Sequence, residues 1–118
     1  MPVDRLSDPT VYGARAKLGV IVPPTNTANE AEWNRMAPRG VSVHSARMPL
    51  HMDTTSEAGR KALHDDLRRY VADLAQASVD VIAYGCTAGS MTVPANRLAD
   101  FMQGESGRTS VTTAQSLV

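Results

Sequence analysis

The chain contains a single cysteine, Cys86, which follows the apolar run VDVIAYG and precedes the hydroxyl-rich segment TAGS. A thiol between a buried strand and a helix N-terminus is a candidate nucleophile or base, because backbone N–H groups there favour the thiolate. The alternative is that Cys86 is a small buried core residue, the commoner role of a cysteine at a strand end. The pattern around the cysteine leaves both roles open.

A second group of polar side chains, Thr25 and Asn26, follows the apolar run at 17–22 and the pair Pro23-Pro24. Because the carboxyl ends of parallel strands meet at one edge of a sheet, this loop and the loop at 85–90 are expected there together. Two helix N-termini with hydroxyl and amide donors predict a carboxylate or phosphate site. In the alternative interpretation Thr27, like Ser90 and Thr92, only caps a helix. Asn26 would then only stabilise the turn, through a hydrogen bond from the backbone to its own side chain.

Other site chemistries find less support. His44 lies in a predicted strand, His51 in a loop and His64 on a charged helix face, and none has metal-ligand spacing. His51 could approach the site, although a surface-loop position is favoured, and a thiolate held by backbone N–H groups needs no histidine. Residues 85–90 match neither glycine-rich phosphate motif. We therefore predict no metal.

The amino-acid composition limits the classes of molecule that are expected to bind this protein. Twelve basic and twelve acidic residues cancel, so neither nucleic acid nor an anionic membrane is an expected partner. One cysteine fits a reducing compartment, and no long apolar run or signal-peptide layout is present, which predicts a soluble cytoplasmic protein. The aromatic content of 4% argues against a flavin, and no cofactor is expected. Small carboxylates or phosphates remain as ligands.

The hydrophobic pattern predicts an α/β fold, a doubly wound, mainly parallel four-stranded sheet with flanking helices. Residues 1–16 are expected to be an irregular leader and 17–118 one α/β lobe. Capping boxes at Thr27/Glu30 and Thr54/Glu57 mark two helix starts. Strands are predicted at 17–22, 41–46, 79–84 and 108–111, helices at 27–36, 54–77, 92–103 and from 112 onwards, and a turn at 104–107. The last helix has no stop signal, which predicts a truncated lobe.

Four stretches resemble the aspartate/glutamate racemase superfamily, in its maleate isomerase and arylmalonate decarboxylase branch. They are LGVIVPPTN ending at Asn26, VHSARM at 43–48, DVIAYGCTAGS at 80–90 and SVTTA at 110–114. The resemblance implies the N-terminal lobe of a two-lobed fold with the active site in the cleft between the lobes.

The resemblance also implies roles for individual residues. Cys86 matches the first-lobe catalytic cysteine, Asn26 a carboxylate ligand, and Thr87 and Ala88 the segment that holds the carboxylate. Thr25 is predicted to bind the carboxylate as well, because it precedes Asn26 in the same loop. Racemases of this family pair the cysteine with a second-lobe cysteine, whereas maleate isomerases use the first as nucleophile on the double bond. Arylmalonate decarboxylases lack a cysteine here, so Cys86 argues against that activity.

The implied function is a cofactor-independent isomerase or racemase acting on a small carboxylate or dicarboxylate. This chain holds no second cysteine, so the lobe by itself is expected to be inactive. The alternative function is a non-catalytic carboxylate-binding or assembly module on the same fold. Homo-oligomerisation is compatible with either.

Overall fold

A computed structural model describes residues 12–51, 53, 55–86 and 95–112. Within them four strands form one sheet: β1 (Ala16–Val22), β2 (Val41–Arg47), β3 (Val81–Tyr84) and β4 (Thr109–Thr112). The strand order is β2-β1-β3-β4, and every neighbouring pair is parallel. The predicted parallel α/β sheet is confirmed.

Three helices are described: α1 (Ala28–Met36), α2 (Glu57–Gln76) and α3 (Ala95–Ser106). Side chains of α2 and α3 pack with Ile21 and Ile82 on one face of the sheet. Trp33 of α1 packs against Val20 and Val22 on the other. Helices therefore cover both faces, as the doubly wound prediction requires.

Helix α2 forms because its large aliphatic residues recur at helical spacing and are all buried against the sheet. They are Leu63, Leu67, Val71 and Leu74. The Ser56 hydroxyl accepts a hydrogen bond from the Gly59 N–H at 3.0 Å and caps the helix. The predicted capping residue Thr54 lies outside the described residues.

The predicted capping box of α1 is wrong. Thr27 is the N-cap but its side chain makes no capping hydrogen bond. Glu30 instead accepts hydrogen bonds from Ser45 and Arg47 of β2, because those partners compete for its carboxylate. No residue of α1 is buried, and Met36, the last residue of the helix, is 71% exposed. The helix is held to the sheet by Trp33 and by polar contacts.

Several predicted boundaries shift. The predicted turn at 104–107 is wrong for its first part, because α3 continues through Gly104 to Ser106. β1 begins at Ala16, inside the predicted leader, and β4 includes Thr112, where a helix was predicted to begin. The remainder of that helix, residues 1–11, and the predicted start of the third helix at Thr92 lie outside the described residues. In the described part of the chain, no helix is long and apolar enough to span a membrane.

Candidate functional site

The site predicted at the sheet edge lies where β1 and β3 end. The two strands run side by side, with Ile21 opposite Tyr84 as the last pair. The Gly85 N–H donates to the Ile21 carbonyl at 2.7 Å, which extends this pairing by one residue. Cys86, the next residue, therefore lies beside the turn that follows β1. In the order β2-β1-β3-β4, this is the point at which the connections from neighbouring strands diverge, the usual position of a ligand crevice.

Asn26 closes that turn with its backbone and its side chain. Its N–H donates to the Pro23 carbonyl at 3.1 Å, and its Oδ1 accepts from the Asn29 N–H at 2.9 Å. Since only the amide oxygen can accept from an N–H, this bond fixes which end of the side chain is which. The predicted hydrogen bond of the Asn26 side chain within its own turn is confirmed. It leaves the Nδ2 group as a hydrogen-bond donor.

Cys86 is 8% exposed and shares a buried cluster with Tyr84, which is 3% exposed. The two residues are separated by one position at the end of β3, and their side chains interact by a hydrogen bond. Burial raises the pKa of the Tyr84 hydroxyl well above its ordinary 10.0, and the charge and hydrogen bond of Cys86 raise it further. Tyr84 therefore remains a neutral hydroxyl that can donate a hydrogen bond to the Cys86 sulfur.

Asn29 lies between the two loops. Its Nδ2 is 2.7 Å from the position that a Cβ on Gly85 would take, so the side-chain amide rests on the backbone just before Cys86. Among the described residues, its Oδ1 is the buried side-chain oxygen that has no hydrogen-bond partner. Only glycine fits at residue 85 with this amide in place.

The other predicted residues divide into two groups. Thr25 is exposed in the turn beside Asn26. Thr87 and Ala88, with Ser90, lie outside the described residues. His51 pairs with Asp66 of α2, with 2.7 Å between Nε2 and Oδ2, so it is not brought to Cys86. The part of the chain that the structure describes holds no cluster of three or more His, Cys, Asp or Glu suited to a metal ion.

Sequence reasoning missed Tyr84, Asn29 and Arg47, whose guanidinium contacts the turn after β1. Strand alternation could have indicated Tyr84, because residues 84 and 86 face the same side of an extended chain. Arg47 falls within the stretch VHSARM that carries the resemblance, but nothing in that stretch indicates its contact with the turn.

Comparison with known proteins gives one curated relative and several structures. No family model matches the chain. Maleate isomerase of Nocardia farcinica (strain IFM 10152) is 33% identical over 79 residues, which are 64% of this chain and 31% of that protein. A variant of the maleate isomerase Iso from Pseudomonas putida S16, solved with maleate, has a TM-score of 0.61 and 25% identity over 86% of this chain and 46% of its own.

Arylmalonate decarboxylase superposes with a TM-score of 0.69 at 19% identity, over 86% of this chain and 43% of its own, which shows a shared fold. The chain thus spans about a third of the curated relative and under half of each structure. The sequence match and the shared fold support the predicted resemblance to the maleate isomerase and arylmalonate decarboxylase branch.

Proposed function

We propose that the full-length protein is a cofactor-independent, cytoplasmic isomerase or racemase of small carboxylic acids, with maleate as the first substrate to test. The observation that carries the proposal is the placement of a fixed amide donor on Asn26 and a thiol on Cys86 after the adjacent strands β1 and β3. The likeness to maleate isomerases supports the choice of substrate.

In this proposal the loop after β1 binds a carboxylate. The Asn26 Nδ2 group donates to one carboxylate oxygen, and the hydroxyl groups of Thr25 and Thr87 and the N–H of Ala88 supply further donors. An all-donor site suits a carboxylate because that group only accepts hydrogen bonds. Binding at the β1 loop places the adjoining carbon atoms toward Cys86.

The Cys86 thiolate acts as the nucleophile. It adds to one alkene carbon of maleate, forming a C–S bond while the π electrons move to the neighbouring carbon and its carboxylate. The carbon–carbon bond is now single and rotates; return of the electron pair breaks the C–S bond and releases fumarate. No net proton is consumed. Donors around the carboxylate stabilise the charge that develops in the adduct.

The racemase variant of the proposal uses the same thiolate as a base. Cys86 removes a proton from the carbon beside the carboxylate, and an acid on the other side returns one. Since this chain has one cysteine, a second cysteine in that role must come from outside this chain. Maleate has no proton on a saturated carbon beside its carboxylates, so its conversion to fumarate favours the nucleophilic route.

Proton NMR of the full-length protein with maleate tests the proposal, because maleate and fumarate give separate vinyl signals. We expect Cys86→Ala and Cys86→Ser to reduce turnover at least about a hundredfold with the circular dichroism spectrum unchanged. Thr27→Ala, which removes an exposed hydroxyl from the same loop, serves as the control with unchanged turnover. Wild-type rates in the two Cys86 variants would refute the catalytic role.

A second candidate is a non-catalytic carboxylate-binding or assembly module. The burial of the thiol, only 8% exposed, favours it. Calorimetric titration of the same protein with maleate and aspartate separates the candidates: binding without turnover supports the module, and binding with cysteine-dependent turnover supports the enzyme.

A further inference from the structure

Arg47, the last residue of β2, reaches the turn that carries Asn26. Its Nη1 donates to the carbonyl oxygens of Asn26 at 2.9 Å, Pro24 at 3.1 Å and Pro23 at 3.4 Å. Three carbonyl groups of one turn thus converge on a single guanidinium nitrogen. The turn itself holds the side chain that the proposed function places on the substrate.

The other side of the guanidinium is also occupied. Nη2 lies 2.9 Å from Oε2 of Glu30 on α1, and the other oxygen of Glu30 accepts a hydrogen bond from the Ser45 hydroxyl. An exposed ion pair of this kind contributes about 0–1 kcal/mol by itself. Its importance here is geometric, because one planar group ties β2, the turn and α1 together.

These contacts decide between two roles for an arginine beside a carboxylate site. As a ligand, Arg47 would offer a pair of N–H groups and a positive charge to the substrate. In the structure its Nη1 is directed at backbone carbonyls and its charge is paired with Glu30. The arrangement fits a group that holds the protein rather than the substrate.

We propose that Arg47 is a positioning residue that fixes the Pro23–Asn26 turn and so aims the Asn26 amide at the carboxylate of the ligand. The inference depends on the proposed function for its effect on activity. Its structural content, the restraint of the turn, can be measured without a substrate.

A double-mutant cycle in the full-length protein tests the route by which Arg47 acts. We expect Arg47→Met to raise KM for maleate about tenfold with a smaller change in kcat. In an Asn26→Ala background the same substitution should add little, because the residue it positions is gone. Multiplicative effects in the double variant would show that Arg47 acts independently of Asn26 and would overturn the proposal.

Arg35→Met is the matched control. Arg35 lies in the exposed last turn of α1, and no ion pair or hydrogen bond of its side chain occurs among the described residues. The control removes the same charge from the last turn of α1, whereas Glu30, the partner of Arg47, lies in the first turn, so KM should stay at the wild-type value. An equal rise in KM for Arg35→Met and Arg47→Met would attribute the effect to net charge and refute positioning.

Hydrogen exchange of the ligand-free protein keeps this inference separate from the proposed function. The backbone N–H groups of Asn26 and Asn29 should exchange at least about fivefold faster in Arg47→Met, because both are bonded within the restrained turn. Arg47→Lys, a smaller change, should give an intermediate rate since an ammonium cannot satisfy the carbonyls and Glu30 in one plane. Unchanged exchange in both variants overturns the inference. Faster exchange without any maleate turnover sustains it and refutes only the proposed action on maleate.

Discussion

Gly85→Ala is the substitution with which the packing between the two loops of the site can be tested most directly. A Cβ at residue 85 would lie 2.7 Å from Asn29 Nδ2 and 3.1 Å from the carbonyl oxygen of Ile21. Attractive contacts between heavy atoms lie near about 3.5 Å, so both approaches are repulsive. The added methyl group must displace the Asn29 amide, the strand β1 or the backbone that leads into Cys86.

The expected cost follows from what can move. The Ile21 carbonyl accepts from the Gly85 N–H and cannot retreat without weakening that bond. The Asn29 side chain has two rotatable bonds, but its Oδ1 is buried, so rotation meets other atoms. Overpacking of this kind typically costs about 1–3 kcal/mol of unfolding free energy. We expect Gly85→Ala near the middle of that range.

Urea denaturation followed by circular dichroism measures this free energy. The matched control is Gly104→Ala: residue 104 lies in α3, where a Cβ would meet nothing within 4 Å. That change should stabilise the protein by about 0.5–1 kcal/mol, because alanine has the higher helix propensity. The two glycine substitutions are therefore expected to have opposite signs.

A second substitution shows which neighbouring atom the added methyl group at residue 85 would contact too closely. Asn29→Ala removes the nearer of the two atoms, so Gly85→Ala should cost at least about 1 kcal/mol less in that background. The Asn29 N–H that bonds to Asn26 is retained. An equal cost of Gly85→Ala with and without the Asn29 amide, or a cost no different from that of Gly104→Ala, would refute the proposed close packing.

Three further outcomes are expected. Asn26→Asp keeps an oxygen that can accept the hydrogen bond from the Asn29 N–H, but it replaces the amide donor with a negatively charged oxygen. Calorimetry should therefore show maleate binding weakened about a hundredfold or more, with an unchanged melting temperature. A lowered melting temperature would contradict this expectation. Ser56→Ala should cost about 1 kcal/mol and Thr27→Ala under about 0.5 kcal/mol in urea, because only the first side chain makes a capping bond; equal costs would contradict it. Since the pKa of Tyr84 is raised in the folded state, the unfolded chain loses its proton first and stability should fall as pH rises above 10.0. Tyr84→Phe should reduce that fall, and an identical alkaline slope would show that Tyr84 is not the group responsible.

The fold could be predicted where one strong pattern decided each element. The continuous apolar run of β1 and the buried stripe of α2 both led to the observed elements. Prediction failed where packing overrode a local signal. Glycine in a helix costs about 1 kcal/mol, which indicated a turn at Gly104. The burial of Leu98 and Met102 in the same helix outweighs that cost, and α3 continues.

The site could be predicted to the extent that topology fixed it. The rule for carboxyl ends of parallel strands was sufficient to bring the Asn26 and Cys86 loops to adjacent strand ends. It could not find Arg47, since the contacts of that residue join β2 to a turn more than twenty positions earlier in the chain. The Glu30 carboxylate shows the same limit: its spacing from Thr27 fitted a local cap, whereas its actual partners come from β2.

The crevice itself depends on strand order and not on the residues proposed for chemistry. β1 is followed by α1 on one face and then by β2 at one side, whereas β3 is followed by α3 on the other face and then by β4 at the opposite side. That divergence opens the edge between β1 and β3 whatever side chains follow the strands. Substitutions of Cys86 should therefore leave the crevice intact, and lost turnover there reports on the thiol. Arg47 shapes the crevice wall, so its substitution must be read against a measurement of the turn.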